Sequence, residues 1–223
     1  MHLLVLGATG PSGIAFVTEA LKAGHKLTIY ARNPSKLPQE VSSNSNVQTI
    51  KGTFDDMDAA REATRTGATV LVSFAGPAVP NNGTPVTEFY EKLFPMILSD
   101  PQTKIKRCLC CTTPSYKIPD DKPSWKWWFC VLAIWLIGGS AYDEVNGIGR
   151  VVSALPLSEI EWTLFRVPAL TNGEAKPVRA GNVGEGKDGI ILSRKSIAIW
   201  VLQELQEKKW VGKAPALCNP GWI

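Results

Sequence analysis

The chain of 223 residues is poor in the residue types that build metal centres. Histidine occurs twice, as His2 and His25, and three of the five cysteines lie close together as Cys108, Cys110 and Cys111. A structural zinc site takes paired ligands from two places in the chain, and this sequence has no second cluster. An odd number of cysteines within an apolar run is also not a disulfide framework. We therefore expect no metal site and a reduced, cytoplasmic protein.

Long hydrophobic stretches are absent as well. The most apolar run, WWFCVLAIWLI, spans residues 127–137, which is shorter than the roughly 20 residues that a membrane-spanning helix requires. It predicts a buried helix, and two alternatives remain open: an apolar wall or lid over a substrate, or a membrane-touching patch beside Lys122 and Lys126. The chain also opens without a basic and apolar leader followed by a cleavage site, so we expect no secretory signal.

The charges favour no nucleic-acid partner. Lysine and arginine (24 residues) nearly balance aspartate and glutamate (20 residues), the net charge is +4, and the charged residues are scattered along the chain. A nucleic-acid surface concentrates basic residues on one face, so this distribution argues against one. Hydrophobic residues make up 44% of the chain, which is enough for a substantial core and excludes a disordered protein.

Apolar strand-like runs alternate with segments of helical periodicity. The predicted strands are residues 2–7, 25–32, 47–52, 69–76, 105–113 and 161–167. The predicted helices are residues 12–23, 55–67, 86–100 (kinked or shifted by Pro95), 145–155 and 197–205, and residues 33–46 are predicted to be a surface loop. This alternation predicts an α/β fold, a Rossmann-like doubly wound parallel sheet. No linker divides the chain, so we expect a single domain over residues 1–223, its substrate side formed mainly by residues 113–180.

The segment GATGPSG, residues 7–13, follows the first strand and opens the first helix. In that setting Gly7 permits a tight turn, Gly10 removes a side chain where a pyrophosphate approaches the backbone, and Gly13 lets the helix lie close to the strand. The start of the helix offers unpaired amide donors and the positive end of its dipole. An ordinary tight turn is the alternative. The other residues expected to line this loop are Thr9, Pro11 and Ser12.

The end of the second strand indicates which dinucleotide is preferred. It reads IYARNPSKL, with Arg32 directly after the strand and no carboxylate before Glu40. A guanidinium matches the 2′-phosphate of NADP(H), whereas an NAD(H) site carries an acid that holds the ribose hydroxyls. Lys36 adds a second positive charge. We therefore expect NADP(H) as the cofactor, the alternative being that Arg32 is a solvated loop residue.

Two further loops are expected to contact the cofactor. Asp55, next to Phe54, follows the third strand and either accepts a hydrogen bond from the adenine amino group or caps the next helix. After the fourth strand, Gly76 lets the backbone face the ribose. The residues expected to contact the cofactor in this second loop are Phe74, Ala75 and Gly76.

Five motifs, LVLGATGPSG, ARNPSKL, GTFDD, CTTPSY and IEWTLFRVPALT, occur in the order seen in atypical short-chain dehydrogenase/reductases. The chain resembles their NAD(P)H-binding, NmrA-like group, which includes the biliverdin and flavin reductases, and the resemblance is weakest over residues 114–141. It implies an NADP(H)-dependent oxidoreductase that acts by hydride transfer, with its pocket at the carboxyl ends of the strands. In the family a serine or threonine after the fifth strand hydrogen-bonds near the nicotinamide. Thr113 matches that residue and is a catalytic candidate, and Thr112 before it is expected to contact the cofactor.

The chain departs from the family pattern at two places. Typical short-chain dehydrogenases pair a tyrosine with a lysine four residues later, which lowers the pKa of the phenol; here Tyr142 is followed by Asn146. Tyr142 is thus either a general acid or a tyrosine that merely packs. The related flavin and biliverdin reductases, which lack the Tyr/Lys pair, often carry a histidine after the proline of the sixth strand. Ala169 follows Pro168 here.

The remaining candidates concern the reacting end of the site. Arg166 either points to the cofactor or anchors its loop, while the backbone of Val167 and Pro168 is expected to receive the nicotinamide carboxamide. Tyr116, like Tyr142, is a candidate to orient a substrate oxygen. The eight tryptophans favour a small apolar or aromatic substrate. The residues expected to line its pocket are Trp125, Trp128, Trp135 and Ala169, with Trp127 as a further wall.

Two other functions remain open from the sequence. One is a binding protein that senses the NADP state and passes it to a partner, which the missing Tyr/Lys pair favours. The other is non-redox chemistry, such as isomerisation, dehydration or cyclisation, for which an apolar pocket also suits. The sequence does not indicate the oligomeric state.

Overall fold

Eight strands form one sheet in the computed structural model, which describes residues 1–77, 83–137, 140–186 and 188–220. Their order across the sheet is β3-β2-β1-β4-β5-β6-β10-β8, and every neighbouring pair is parallel except β10 with β8. A second, two-stranded parallel sheet pairs β7 with β9. The strands are β1 (His2–Leu6), β2 (Lys26–Ala31), β3 (Val47–Lys51), β4 (Val70–Ser73), β5 (Arg107–Thr112), β6 (Glu161–Arg166), β7 (Ala169–Thr171), β8 (Arg179–Gly181), β9 (Ile191–Ser193) and β10 (Ala216–Cys218).

Helices cover both faces of the large sheet. On one face α3, α4 and α6 bury a cluster that includes Phe89, Phe94 and Ile148. On the other, α1 and α7 pack together and bury Phe16 and Val201. The helices are α1 (Pro11–Lys22), a 3₁₀ turn (Pro34–Lys36), α2 (Gln39–Ser42), α3 (Met57–Thr64), α4 (Pro85–Ser99), α5 (Trp125–Ile137), α6 (Ala141–Ser153) and α7 (Arg194–Glu207).

The prediction of a single-domain, doubly wound α/β fold is confirmed. The six predicted strands and five predicted helices all form, because each carries enough apolar residues at period 2 or 3.6 to bury one face. Two details differ. The predicted surface loop at residues 33–46 contains the 3₁₀ turn and α2, and α4 continues past Pro95 as one helix. The four short strands of the C-terminal region have three residues each, which is too few to show any periodicity.

A buried carboxylate joins α6 to the start of α4. Glu144 is fully buried, and its two oxygens accept hydrogen bonds from the backbone amides of Val86 (3.1 Å) and Thr87 (2.8 Å). The hydroxyl of Thr87 also donates to it at 2.7 Å. These amides belong to the first turn of α4 and have no partner within their own helix. Glu144 therefore caps α4 from a different helix and holds α6 in place behind β5.

Candidate functional site

The turn between β1 and α1 depends on two glycines. Gly7 has φ +71°, and a β-carbon placed on it would lie 2.6 Å from the amide nitrogen of Ala75. A β-carbon on Gly13 would overlap the carbonyl oxygen of Gly7. Both positions therefore exclude a side chain for reasons internal to the fold: Gly7 makes the turn, and Gly13 brings α1 against it.

Gly10 differs from these two glycines. Its backbone is extended (φ −82°, ψ 162°), a conformation open to any residue, and among the described residues a β-carbon there would contact only the carbonyl oxygen of Gly7, at 3.5 Å. The fold thus does not require glycine at this position. A missing side chain at the mouth of the turn leaves open space in front of the backbone, which is the space a bound phosphate needs.

The start of α1 adjoins that space. Gly10 is the N-cap residue without a side-chain cap, and Pro11, which has no amide hydrogen, is the first helical residue. The next amides, of Ser12 and Gly13, have no acceptor within the helix. Thr9 and Ser12 are half-buried beside them. The segment therefore presents amide donors and the positive end of the helix dipole to one place, as an anion requires.

Five further loops lie along the same edge of the sheet, after β2, β3, β4, β5 and β6, because parallel strands end together. Leu6 of β1 is in register with Tyr30 of β2 and with Ser73 of β4, and Ser73 with Cys110 of β5. Strand order reverses direction between β1 and β4, the switch point at which open α/β sheets bind ligands. The edge from β2 to β6 covers four strand spacings, roughly 20 Å in all, and suits an elongated ligand.

The end of β2 is positively charged. Arg32 directly follows β2 and is exposed, and Lys36 is exposed in the 3₁₀ turn. Among the described residues neither side chain has a hydrogen bond or ion pair. In the next loop Asp55 is exposed, but the cap of α3 is Asp56, which accepts from the amide of Ala59 at 3.0 Å. The capping alternative for Asp55 is therefore wrong.

The loops after β3 and β4 hold their aromatic rings in the core. Phe54 stacks on Phe89 at 4.9 Å, and Phe74 packs between Phe16 (5.2 Å) and Phe165 (5.5 Å). These rings therefore pack against the core, and the groups left to face a ligand are the side chain of Asp55 and the backbone after Phe74. Two backbone positions follow Phe74. Ala75 is buried against the Gly7 turn, and Gly76 is exposed, with no atom of a described residue within 4 Å of a β-carbon placed on it.

The two threonines that end β5 have different environments. Thr112 is buried, and its hydroxyl donates to the carbonyl oxygen of Val145 at 2.8 Å, which fixes β5 to α6. The hydroxyl of Thr113 is half-buried and accepts from the amide of Ser115 at 3.3 Å. Thr113 therefore keeps its donor proton, whereas the donor proton of Thr112 is already used.

The two candidate tyrosines face different ends of α6. Tyr142, in the first turn of α6, is half-buried, and its phenol has no hydrogen-bond partner among the described residues. Tyr116 shares a hydrogen bond of 2.8 Å with Ser153, at the other end of α6. Ser153 is eight residues beyond Val145, about 12 Å along the helix. Tyr116 as an orienting residue is therefore a wrong prediction, because its hydroxyl points away from the strand ends.

Arg166 anchors a loop, and its predicted contact with the cofactor is wrong. It is fully buried, and its guanidinium forms a bidentate ion pair with Asp121, at 2.5 and 2.8 Å. It also donates to the backbone carbonyls of Tyr116 (3.0 Å) and Ala214 (2.7 Å). Sequence reasoning missed Asp121, since nothing in the sequence tells which carboxylate a buried arginine will meet.

Asp121 holds the loop between β5 and α5 in place through several hydrogen bonds. Besides Arg166, it accepts hydrogen bonds from the backbone amides of Ile118 (3.0 Å) and Val183 (2.9 Å). Burial alone would raise the pKa of the Asp121 carboxyl, but the hydrogen bonds and the adjacent guanidinium outweigh it and lower the pKa below its usual value. The carboxylate thus ties residues 116–121 to β6 and to the strand-end segment at Val183.

The loop after β6 has fewer hydrogen-bonding groups free for the nicotinamide carboxamide than predicted. The amide of Val167 already donates to the carbonyl oxygen of Thr112 at 2.9 Å, so it has no proton for a carboxamide. Pro168 has no amide hydrogen, and only the carbonyl groups of these two residues remain as acceptors. Ala169 is exposed at the start of β7, and its amide donates a hydrogen bond to the carbonyl oxygen of Ile190.

A cavity of about 510 Å³ lies between the loop after β5 and α5. Its walls are largely apolar, and its size is in the range of small-molecule sites. Of the four residues predicted to line the substrate pocket, Trp125 and Trp128 line this cavity, whereas Trp135 and Ala169 lie outside its walls. The lining residues are Pro114, Lys117, Ile118, Asp121, Lys122, Pro123, Ser124, Trp125, Trp127, Trp128, Val131 and Val183.

The apolar run 127–137 forms α5, but the prediction of a buried helix is wrong. Trp127 is buried, and its indole donates to Asp188 at 2.6 Å, while Trp125, Trp128 and Trp135 are 78%, 59% and 60% exposed. Asp188 also accepts a hydrogen bond from the amide of Gly184 at 3.0 Å. One side of α5 is therefore fixed to the body of the protein and the other faces solvent.

Two absences hold for the described ranges alone. Within them no group of three or more histidine, cysteine, aspartate or glutamate residues is arranged to hold a metal ion. In the same ranges no helix has both the length and the apolar character needed to cross a bilayer.

A glycine-dependent turn between the first strand and the first helix, at the switch point of a parallel sheet, defines a Rossmann-fold protein of the dinucleotide-binding class. The chain belongs to the NAD(P)H-binding family, whose model matches residues 7–208. A comparison with curated proteins gives no match. The family assignment confirms the NAD(P)H-binding part of the resemblance noted in the sequence.

Solved structures share the fold over nearly the whole chain. A short-chain dehydrogenase/reductase of Veillonella parvula in complex with NADP is 18% identical, with a TM-score of 0.76 over 99% of this chain and 95% of that one. ChuY of Escherichia coli O157:H7, an anaerobillin reductase, is 16% identical, with a TM-score of 0.74 over 100% and 99%. The oxidoreductase ylbE of Lactococcus lactis is 15% identical, with a TM-score of 0.70 over 100% and 92%. At these identities the likeness establishes the fold.

Proposed function

We propose that the protein is an NADP(H)-dependent oxidoreductase that acts on a small apolar or aromatic substrate. The observation that carries the proposal is Gly10, whose missing side chain serves no purpose in the fold but leaves space beside the amides that open α1. When bound, the nicotinamide ring supplies the hydride chemistry. The chain's own residues bind it, orient it and exclude water.

The residues along the strand ends fit such a dinucleotide. The turn at residues 7–13 would hold the diphosphate on backbone amides, and Arg32 with Lys36 would hold a 2′-phosphate. Both cations are exposed without a partner among the described residues, so neither has to give up an interaction to bind. Asp55 is exposed beside them as an acceptor for the adenine amino group, and Gly76 leaves the backbone after β4 open to a ribose.

Two hydroxyls are available at the reacting end. Thr113 retains its donor proton and stands after β5, where it would orient the nicotinamide or a substrate oxygen. Tyr142 lies on the helix that Thr112 fixes to β5, and its phenol has no hydrogen-bond partner among the residues that the structure describes, so it would donate a proton to a substrate oxygen. The apolar cavity beside α5 would hold the substrate.

One observation favours a second function, an NADP-sensing protein without catalysis. Asn146 stands where typical short-chain dehydrogenases carry lysine, and its amide donates to the carbonyl oxygen of Tyr142 at 2.8 Å. It therefore neither charges the site nor touches the phenol. A sensor needs the dinucleotide site but no activated tyrosine.

Calorimetric titration with NADPH, followed by an activity screen, tests the proposal. We expect NADPH to bind and then to be oxidised in the presence of at least one flavin, quinone or other organic acceptor. Binding without oxidation across a broad panel would favour the sensor. Absence of binding to both NADPH and NADH would refute both functions, and turnover of an apolar compound without nucleotide would instead favour non-redox chemistry.

Gly10→Val tests the phosphate-binding role directly. Because the backbone of Gly10 is extended and its surroundings are open, valine should leave the melting temperature nearly unchanged. Its side chain would occupy the phosphate space, so we expect NADPH affinity to fall at least about tenfold, with Gly10→Ala between valine and the wild type. Calorimetry measures the affinity. Gly173→Ala, which alters an exposed glycine elsewhere, is the control, and unchanged affinity in Gly10→Val would contradict the assignment.

Thr113→Val tests the role of the hydroxyl at the end of β5. The two side chains have nearly the same shape, so we expect NADPH affinity to stay within about twofold while the rate of NADPH oxidation falls roughly tenfold, as for loss of one orienting hydrogen bond. Stopped-flow measurement at saturating NADPH gives the oxidation rate separately from the affinity. Ser115→Ala, beside it but buried, controls for loop disturbance. An unchanged rate in Thr113→Val would remove Thr113 from the site.

A further inference from the structure

One face of α5 presents aromatic side chains to solvent. Trp125, Trp128, Phe129 and Trp135 are 58% to 78% exposed, and at 100° per residue they fall within about 120° of the helix circumference. The ring of Phe129 contacts those of Trp125 and Trp128 edge to face, at 6.4 and 4.9 Å. Trp127, on the opposite side, is buried. We call these four residues the aromatic face of α5.

The area of the aromatic face limits which kind of partner can cover it. Aromatic side chains of about 150–250 Å² each, exposed to this extent, leave on the order of 500 Å² of apolar surface. A contiguous patch of that size on a monomer usually has a binding function. It falls short of the about 800 Å² that each partner contributes to a standard protein interface. A second copy of the chain is therefore a poor match, whereas a membrane surface needs no matching partner area.

The charges around the aromatic face are also of the kind that lipid headgroups attract. Lys117 and Lys122 are exposed in the loop that leads into α5, and both line the cavity together with Trp125. In the same loop Asp121 is neutralised by Arg166, which leaves Asp120 as its exposed acid. Tryptophan and lysine side chains beside apolar surface are residue types enriched at the membrane interface.

We propose that the aromatic face of α5 docks on the surface of an anionic lipid bilayer. With 13 residues, α5 is too short to cross the bilayer, so it lies in the plane of the interface. Trp125 and Trp128 belong both to this face and to the wall of the cavity. Docking therefore turns the mouth of the cavity towards the lipid. The inference does not rest on the proposed function, since none of these residues belongs to the dinucleotide site.

Flotation with lipid vesicles tests the docking without cofactor or substrate. We expect the wild-type protein to float with vesicles of phosphatidylcholine and phosphatidylglycerol, more weakly with phosphatidylcholine alone, and less as salt is raised. The triple variant Trp125→Ser/Trp128→Ser/Phe129→Ser should lose at least about tenfold of the partition coefficient. The double variant Lys117→Glu/Lys122→Glu should lose at least about tenfold on anionic vesicles only.

Each variant has a matched control. Leu157→Ser/Ile199→Ser removes exposed apolar side chains elsewhere (50% and 39% exposed). Lys104→Glu/Lys106→Glu makes the same charge change before β5, at the opposite edge of the sheet. Both should float like the wild type. The lysine pair keeps the test decisive should the aromatic variant fail to fold.

Two results would overturn the proposal. One is a wild-type protein that stays with the soluble fraction on both kinds of vesicle, whatever its affinity for NADPH. The other is a wild-type dimer, seen by light scattering, that the triple variant abolishes while vesicle binding is absent, because the face would then be a protein interface.

Discussion

Arg32→Ala is expected to weaken NADPH binding roughly 10- to 150-fold while NADH affinity changes less than about threefold. A hydrogen bond to a charged group is worth about 1.5–3 kcal/mol, and Arg32 is exposed directly after β2 without an ion pair or hydrogen bond to any described residue. Only NADPH carries the 2′-phosphate that the guanidinium would hold. Calorimetric titration of wild type and variant with both dinucleotides measures the change in selectivity.

The controls for Arg32 separate a specific contact from the general field of the protein. Lys104→Ala removes one exposed positive charge at the opposite edge of the sheet and should leave both affinities unchanged. Lys36→Ala should reduce NADPH affinity by a smaller factor than Arg32→Ala, because an ammonium binds phosphate as a single point charge. Equal losses for NADPH and NADH in Arg32→Ala would show that the arginine does not choose between them.

Asp121→Ala is expected to lower the free energy of unfolding by about 3–5 kcal/mol, because it leaves the Arg166 guanidinium buried without its counter-ion. For a chain of this length that corresponds to a fall in melting temperature on the order of 10 °C. Arg166 is fully buried and the carboxylate nearly so, which keeps water from screening the loss. Chemical denaturation monitored by circular dichroism measures it.

The pH dependence of the same ion pair gives an independent check. The pKa of Asp121 is lowered in the folded state, so its stabilisation is present above the unfolded value near 3.9 and disappears as the pH falls through the lower, folded value. The stability difference between the wild type and Asp121→Asn should be full at pH 7 and shrink below about pH 4. Glu174→Gln, in an exposed ion pair with Lys195, should change stability little at any pH. A difference that persists unchanged at low pH would show that the carboxylate charge is not responsible.

Both predictions concern the same end of the molecule. The ion pair of Asp121 with Arg166 holds the loop that carries Thr113 and lines the cavity, so Asp121→Ala should disturb the cavity as well as stability. Arg32 lies across the switch point, three strands away from β5. A loss of NADPH affinity in Arg32→Ala without a change in melting temperature would therefore separate binding from folding.

The sequence predicted the sheet because its signal is local and repeated. Runs such as HLLVL and EWTLFR are long enough to show which residues must be buried, and the helices between them fix the strands as parallel. The short strands at residues 216–218 and 179–181 were not predicted. With three residues each, they are held by their neighbours β6 and β10 and not by their own composition.

Within the site, backbone requirements were predictable and side-chain partners were not. Gly7 and Gly13 were recognised because steric exclusion at a tight turn leaves a fixed spacing in the sequence. The partners of Arg166 and Tyr116 lie 45 and 37 residues away, at Asp121 and Ser153. No spacing rule connects such pairs, because chain folding and not local geometry brings them together.

The apolar helix α5 shows the same division. Its composition is that of a buried element, with apolar residues on every side. Trp127 reaches Asp188 on a distant loop, and that anchor decides which side of the helix faces inward. The composition of α5 alone gives the amount of its apolar surface. Which side of the helix faces the protein depends on the contacts that Trp127 makes.

The amino-acid sequence by itself determined the doubly wound sheet, the glycine turn at its first crossover and the positive charge after the second strand, since each follows from short-range sterics or from apolar periodicity. Only the tertiary structure decided that Arg166 serves the loop and not the cofactor, that Tyr116 turns towards the far end of α6, and that the tryptophans of α5 face solvent. These outcomes depend on which distant groups come together in the folded chain, where burial makes an unpaired charge or polar group too costly to leave without a partner.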